Sequence, residues 1–105
     1  MTLIERRLEL AASMLLPLDI AARFTQSQQA VLAIVADDCR LHGMCRAYIN
    51  DIAIRTGCGR STAKTAIREA IRLGFLARDE QGVLRIMSAR WLTLICKQSV
   101  ISQPC

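Results

Sequence analysis

Apolar residues near the start of the chain fall at Ile4, Leu8, Ala11, Leu15 and Leu18, in steps of four, three, four and three. That spacing lines one face of a helix and predicts it over Thr2–Leu16. Leu3, Leu10 and Met14 widen the stripe, and Pro17 ends the helix because it cannot continue one. A stripe of this length serves equally as packing for the domain's own core or as the seam of a dimer. A second helix opens at Thr25, with Gln28 three residues on to complete a capping pair. The run "QAVLAIVA" (Gln29–Ala36) is apolar on all sides, so this helix is predicted to be central and covered by the others. Gly43 stops it, with Arg40 and His42 in the last turn near the negative helix end.

A third helix is predicted over Tyr48–Thr56, without a good side-chain cap at its start. A fourth runs over Arg60–Leu73 and stops at Gly74, and Gly57-Cys58-Gly59 joins the two as a turn. Then the period changes. "FLAR" (75–78) and "VLRIM" (83–87) read as short strands, joined by Asp79-Glu80-Gln81-Gly82, a loop of ordinary hairpin length. Ser88 caps a last helix, Ala89–Gln98, with Trp91, Leu92 and Ile95 on a shared side. A third strand through Leu92–Ile95 is the competing reading, and Ser99–Cys105 reads as a loose tail. The fold class is thus mainly α with a small β-hairpin. A possible dimerisation arm covers 1–24, a central domain 25–87, and a C-terminal helix and tail 88–105.

The chain has 105 residues, which suits one domain. Hydrophobic residues make up 52% and aromatic ones 4%, so the core is aliphatic and needs no staples. Net charge is +5 and unevenly placed. Residues 1–54 hold five basic against six acidic side chains. Residues 55–78 hold Arg55, Arg60, Lys64, Arg68, Arg72 and Arg78 against Glu69 alone. Positive charge gathered on one element is what a phosphate-binding surface requires.

That element belongs to a recognisable constellation. Ala53 is small on the inner face of its helix, Gly57 lets the chain reverse, and Ala63 is small where the next helix crosses. This is the helix-turn-helix spacing. The second helix divides into two arcs: Ala63, Ala66, Ile67, Ala70, Ile71 and Leu73 against Ser61, Lys64, Thr65, Arg68, Glu69 and Arg72. A helix fits the major groove of B-DNA, and an Arg there grips guanine through two hydrogen bonds. Arg60, Ser61, Lys64, Thr65 and Arg68 are therefore the expected base or near-phosphate contacts, because the first two turns of such a helix reach base edges. Arg55, Arg72, Arg78 and Arg85 are the expected backbone-phosphate contacts.

On "DIAIRTG", "GRSTAKTAIREAIRLGFL" and "LARDEQGVLRI", the chain resembles bacterial winged helix-turn-helix proteins from Thr25 to about Met87. It looks most like small replication-initiator-like and mobile-element transcriptional regulators, including those of plasmids. The resemblance implies a sequence-specific binder of double-stranded DNA, often a dimeric repressor or activator. A replication or excision accessory factor would use the same helix; the apolar end helices, 2–16 and 89–98, would either pair two copies across a two-fold axis or, in a winged-helix protein-interaction module, hold a partner protein. Two departures stand out. Gly59 occupies a position where such proteins commonly carry a Ser cap, and the tip of the wing is acidic at Asp79 and Glu80, which phosphate would repel.

Other chemistry is less well supported by the residues. A single His, no locally assembled Ser-His-Asp set, no Gly-rich phosphate loop and no paired carboxylates in an apolar cleft argue against an enzyme. Asp37 and Asp38 read as surface residues facing an Arg. Cys39, His42 and Cys45, spaced by three, with Cys58 across the turn, are the candidates for a zinc or cluster site. The alternative is that Cys39 and Cys58 are small buried hydrophobes and His42 a helix-end residue. No cofactor is expected. Five cysteines without a CxxC, no leader-like start and no apolar run long enough for a membrane span predict a reduced, cytoplasmic protein.

Overall fold

The computed structural model describes the backbone of residues 15–102 and the side chains of residues 15–96. The predicted stripe at Ile4, Leu8 and Ala11 lies outside the described residues. After Pro17 the chain forms a short helix, α1 (Leu18–Ala21), then α2 (Gln26–His42), α3 (Ile49–Thr56) and α4 (Arg60–Arg72). The strands β1 (Leu76–Arg78) and β2 (Leu84–Ile86) follow, and α5 (Ala89–Ser102) closes the described chain.

Local signals set most of these limits. The Thr25 hydroxyl accepts from the Gln28 backbone N–H at 3.3 Å, and Gln28 Oε1 accepts from the Thr25 N–H at 2.9 Å. This reciprocal pair satisfies two donors that a helix start would otherwise leave open. α2 ends at Gly43 in the left-handed region, with φ of 79°. α3 ends the same way at Gly57. The α4 start is capped by Gly59, which supplies no side-chain bond.

α2 is the central element. It packs against α3, α4, α5 and β2, and Val31, Leu32, Val35 and Ala36 on it are fully buried. Three alanines, Ala63, Ala66 and Ala70, let α4 lie close against it. Gln29 ties α1 to α2 by donating to the Ala21 and Phe24 carbonyls at 2.8 and 3.1 Å.

The hairpin is antiparallel, with Leu76 opposite Ile86, Ala77 opposite Arg85 and Arg78 opposite Leu84. A third segment joins it before α3. Cys45 and Leu84 exchange both backbone hydrogen bonds at 2.9 Å, so the loop between α2 and α3 is pinned to β2. At the hairpin tip, Asp79 Oδ1 accepts from the N–H groups of Gln81 at 2.8 Å and Val83 at 3.0 Å, and Gly82 takes φ of 80°. The amides of Val83 and Gln81 hold the Asp79 carboxyl below its ordinary pKa, helped by Arg85 and Arg46.

Three expectations are corrected. Leu18, the last position of the predicted stripe, is 87% exposed, in a separate short helix that begins after Pro17. The last element is the predicted helix, but it continues through Ser102 where a tail was expected from Ser99. Leu92 does not share the buried side of that helix. Trp91 and Ile95, one turn apart, are buried, while Leu92 at the next position around the helix is exposed. Ser88 accepts from the Trp91 N–H at 3.3 Å, as expected of a cap. No helix among the described residues is long and apolar enough to cross a membrane.

Candidate nucleic-acid interface

The turn between α3 and α4 is braced from inside. Thr56 is the one buried polar side chain among the described residues. Its hydroxyl donates to the Ile52 carbonyl at 2.8 Å and accepts from the Cys58 N–H at 3.2 Å. It thereby connects the last turn of α3 to the first residue after Gly57. Nothing in the sequence pattern singled this residue out, because a lone Thr at a helix end reads as an ordinary surface hydroxyl.

Beyond the turn, α4 presents the expected division. Ala63, Ala66, Ile67 and Ala70 are buried, whereas Arg60, Ser61, Lys64, Thr65 and Arg68 are exposed on the opposite arc. Lys64 and Arg68 line a shallow hollow together with Arg78 from β1 and the apolar Ile49 and Ile71. Helix and hairpin therefore contribute cations to one surface.

The remaining predicted phosphate contacts are placed differently. Arg55 donates both guanidinium branches to Asp38, at 3.1 and 3.0 Å, and this pairing raises its pKa further. Its partner is only 14% exposed, so the fork is spent joining α3 to α2. Arg72 pairs with Glu69 on its own helix, which lowers the Glu69 pKa and raises that of Arg72. Exposed pairs of this kind are weak and can be exchanged for another anion. Arg85 stands opposite Ala77, one position out of step with Arg78 and Leu84. Successive strand residues point to opposite faces, so Arg78 and Arg85 lie on opposite sides of the hairpin. Asp37 and Asp38 each face an Arg, Arg40 and Arg55 respectively.

The four candidate metal ligands are not brought together. Cys58 contacts the Ser27 carbonyl at 3.6 Å, near the start of α2, while Cys39 and His42 sit in its last turns. Twelve helical residues separate the two ends, roughly 18 Å at the helical rise. No group of three or more His, Cys, Asp or Glu side chains among the described residues has metal-site geometry. Cys39 and Cys45 are buried, and desolvation pushes their thiols up to about 12 and about 11. The Cys45 thiol donates to Asp38 Oδ2 at 3.5 Å. These are protonated packing residues, as the small-hydrophobe reading of Cys39 anticipated, whereas Cys58 is half-buried.

The sequence matches no protein-family model, and neither a curated protein nor a solved structure matches it. The residues and their geometry carry the functional reading by themselves.

Proposed function

We propose that the chain is a winged helix-turn-helix protein that binds double-stranded DNA by sequence and regulates transcription, as a repressor rather than an activator. The observation that carries this reading is the outer arc of α4. Arg60, Ser61, Lys64, Thr65 and Arg68 are all exposed there, while the inner arc is anchored in the core by small residues. A helix packed on one arc and open on the other can enter the major groove with its exposed side chains already facing the bases. Side chains from its first turns then reach base edges, and an Arg that grips guanine O6 and N7 discriminates by about 1–3 kcal/mol against a wrong base.

The order of elements supports the same reading. A helix, a segment bridged to the later hairpin, two helices around a tight turn and then two strands follow one another as in a winged helix. The Gly59 start of α4 carries no side-chain cap, so its first-turn N–H groups remain available to a phosphate. Of the two acidic residues at the hairpin tip, Glu80 is exposed, while Asp79 is explained by the fold, since it shapes the turn through backbone amides. It does not preclude approach of the hairpin's basic face to DNA.

The test is selection of bound duplexes from a random pool by the purified protein at two salt concentrations. An enriched sequence supports the reading, and an inverted repeat would further give the spacing of two recognition helices in a dimer. Binding without enrichment that fades steeply with salt would mean phosphate attraction alone, and the sequence-specific reading would fall.

A further inference from the structure

A second hollow, of about 350 Å³, lies between the start of α3 and the hairpin. Arg46 and Arg78 stand on its rim, with Tyr48, and Ile67 and Leu84 contribute to its lining. Arg78 also belongs to the hollow shared by Lys64 and Arg68. Arg78 and Ile49 line both depressions, so the two hollows adjoin between the outer arc of α4 and Arg46. Tyr48 is 79% exposed at the first position before α3, an aromatic ring with a hydroxyl standing beside these cations. Asp79 lies close enough for Arg46 to help lower its pKa, and its Oδ1 accepts from the Gln81 and Val83 amides.

We propose that this hollow takes a backbone phosphate of the duplex, held by Arg46 and Arg78 with the Tyr48 hydroxyl donating to a phosphate oxygen. The inference rests on the DNA-binding reading above and deepens it by naming which flank of the recognition helix the DNA strand follows. It adds Arg46 and Tyr48 to the contact surface, and it leaves out Arg85, which lies on the other face of the hairpin. Arg78 is shared between the two hollows, which favours a phosphate of the same strand. A groove-bound α4 places the flanking backbone alongside Arg78, and a cation pair around a concave site matches one phosphate better than it matches a peptide side chain. Guanidinium groups bind phosphate oxygens through strong charge-assisted bonds.

The experiment measures affinity for one selected duplex across a salt series, with the full chain and with Arg46→Ala, Arg46→Lys, Arg85→Ala and Tyr48→Phe. Each lost phosphate contact makes the slope of log K against log salt shallower by about 0.9. Arg46→Ala is expected to show that change, Arg46→Lys to keep most of the slope, and Arg85→Ala to match the parent protein. Tyr48→Phe carries no charge change, so it should lower affinity several-fold with the slope intact. Thermal melts of the same variants separate loss of contact from loss of fold, and all three sites are exposed. A parent protein that binds DNA while Arg46→Ala keeps its full slope overturns this inference and leaves the DNA-binding reading standing. A parent protein that binds no duplex overturns both.

Discussion

At the scale of single residues, exposure and pairing separate side chains that composition treats alike. Arg60 and Lys64 stand on the free arc of α4, whereas Arg55 is spent on Asp38. Arg60→Ala or Lys64→Ala should cost about 1–3 kcal/mol on the selected site and relax base preference at one position. Binding titrations on the selected duplex and on single-base variants check this, and a uniform loss on all sequences would reassign the residue to phosphate. The buried thiols carry a pH signature. Cys39 and Cys45 titrate near 12 and 11 in the fold, against an ordinary 9.0. A group with a raised folded pKa stabilises fully below its unfolded value and loses that contribution as pH rises through the folded one. Thermal stability should therefore fall between pH 9 and 12 more steeply in the parent protein than in a Cys39→Ala/Cys45→Ala variant. Parallel melting curves for the two across that range would show that these thiols are not protected by the fold.

At the scale of elements, chain-local chemistry was legible and long-range bracing was not. The Thr25 and Gln28 capping pair, the Gly43 and Gly57 stops and the two arcs of α4 are all written in consecutive residues, and each appears in the structure. Thr56 is different. Its value depends on Cys58 arriving at 3.2 Å after the turn, which no periodicity encodes. Thr56→Val keeps the buried volume but removes the acceptor for that N–H. Leaving a half-buried donor unpaired costs about 1–3 kcal/mol, so the urea midpoint should drop with the slope of the transition unchanged. An unaltered midpoint would mean that water or a shifted turn replaces the hydroxyl. The same limit explains the error at Leu92: with Leu92, Leu94 and Cys96 beside Trp91 and Ile95, the helix offers apolar residues on more than one side, and contact with α2 decided which side is buried.

Across the whole molecule, residues far apart in the chain close the structure. Trp91 is fully buried, and its indole N–H donates to the Leu15 carbonyl at 2.8 Å. Leu16 is itself part of the core. A truncation meant to test a dimer seam should therefore stop at Met14, because removing Leu15 and Leu16 would strip the core as well. Trp91→Phe should lower stability through two effects, the lost hydrogen bond at about 1 kcal/mol and the smaller ring. A chemical-denaturation curve reads the sum, and a variant as stable as the parent would show that the link between the chain's start and α5 contributes nothing. The bridge between Cys45 and Leu84 works in the same way, by seating Arg46 and Tyr48 beside the hairpin.

The amino-acid sequence by itself determined α2, α3 and α4, the caps at Thr25 and Ser88, the hairpin and the segregated face of α4, because those depend on spacing and on bonds within a few residues; the short α1 and the far end of α5 were not read from it. Tertiary structure alone decided which arginines are free. Arg55 meets Asp38 across seventeen residues, and Arg78 and Arg85 part company only through the register of the strands. Charge can be counted along a chain, but whether a charge faces solvent or a partner is settled by packing between elements, and that is a property of three dimensions.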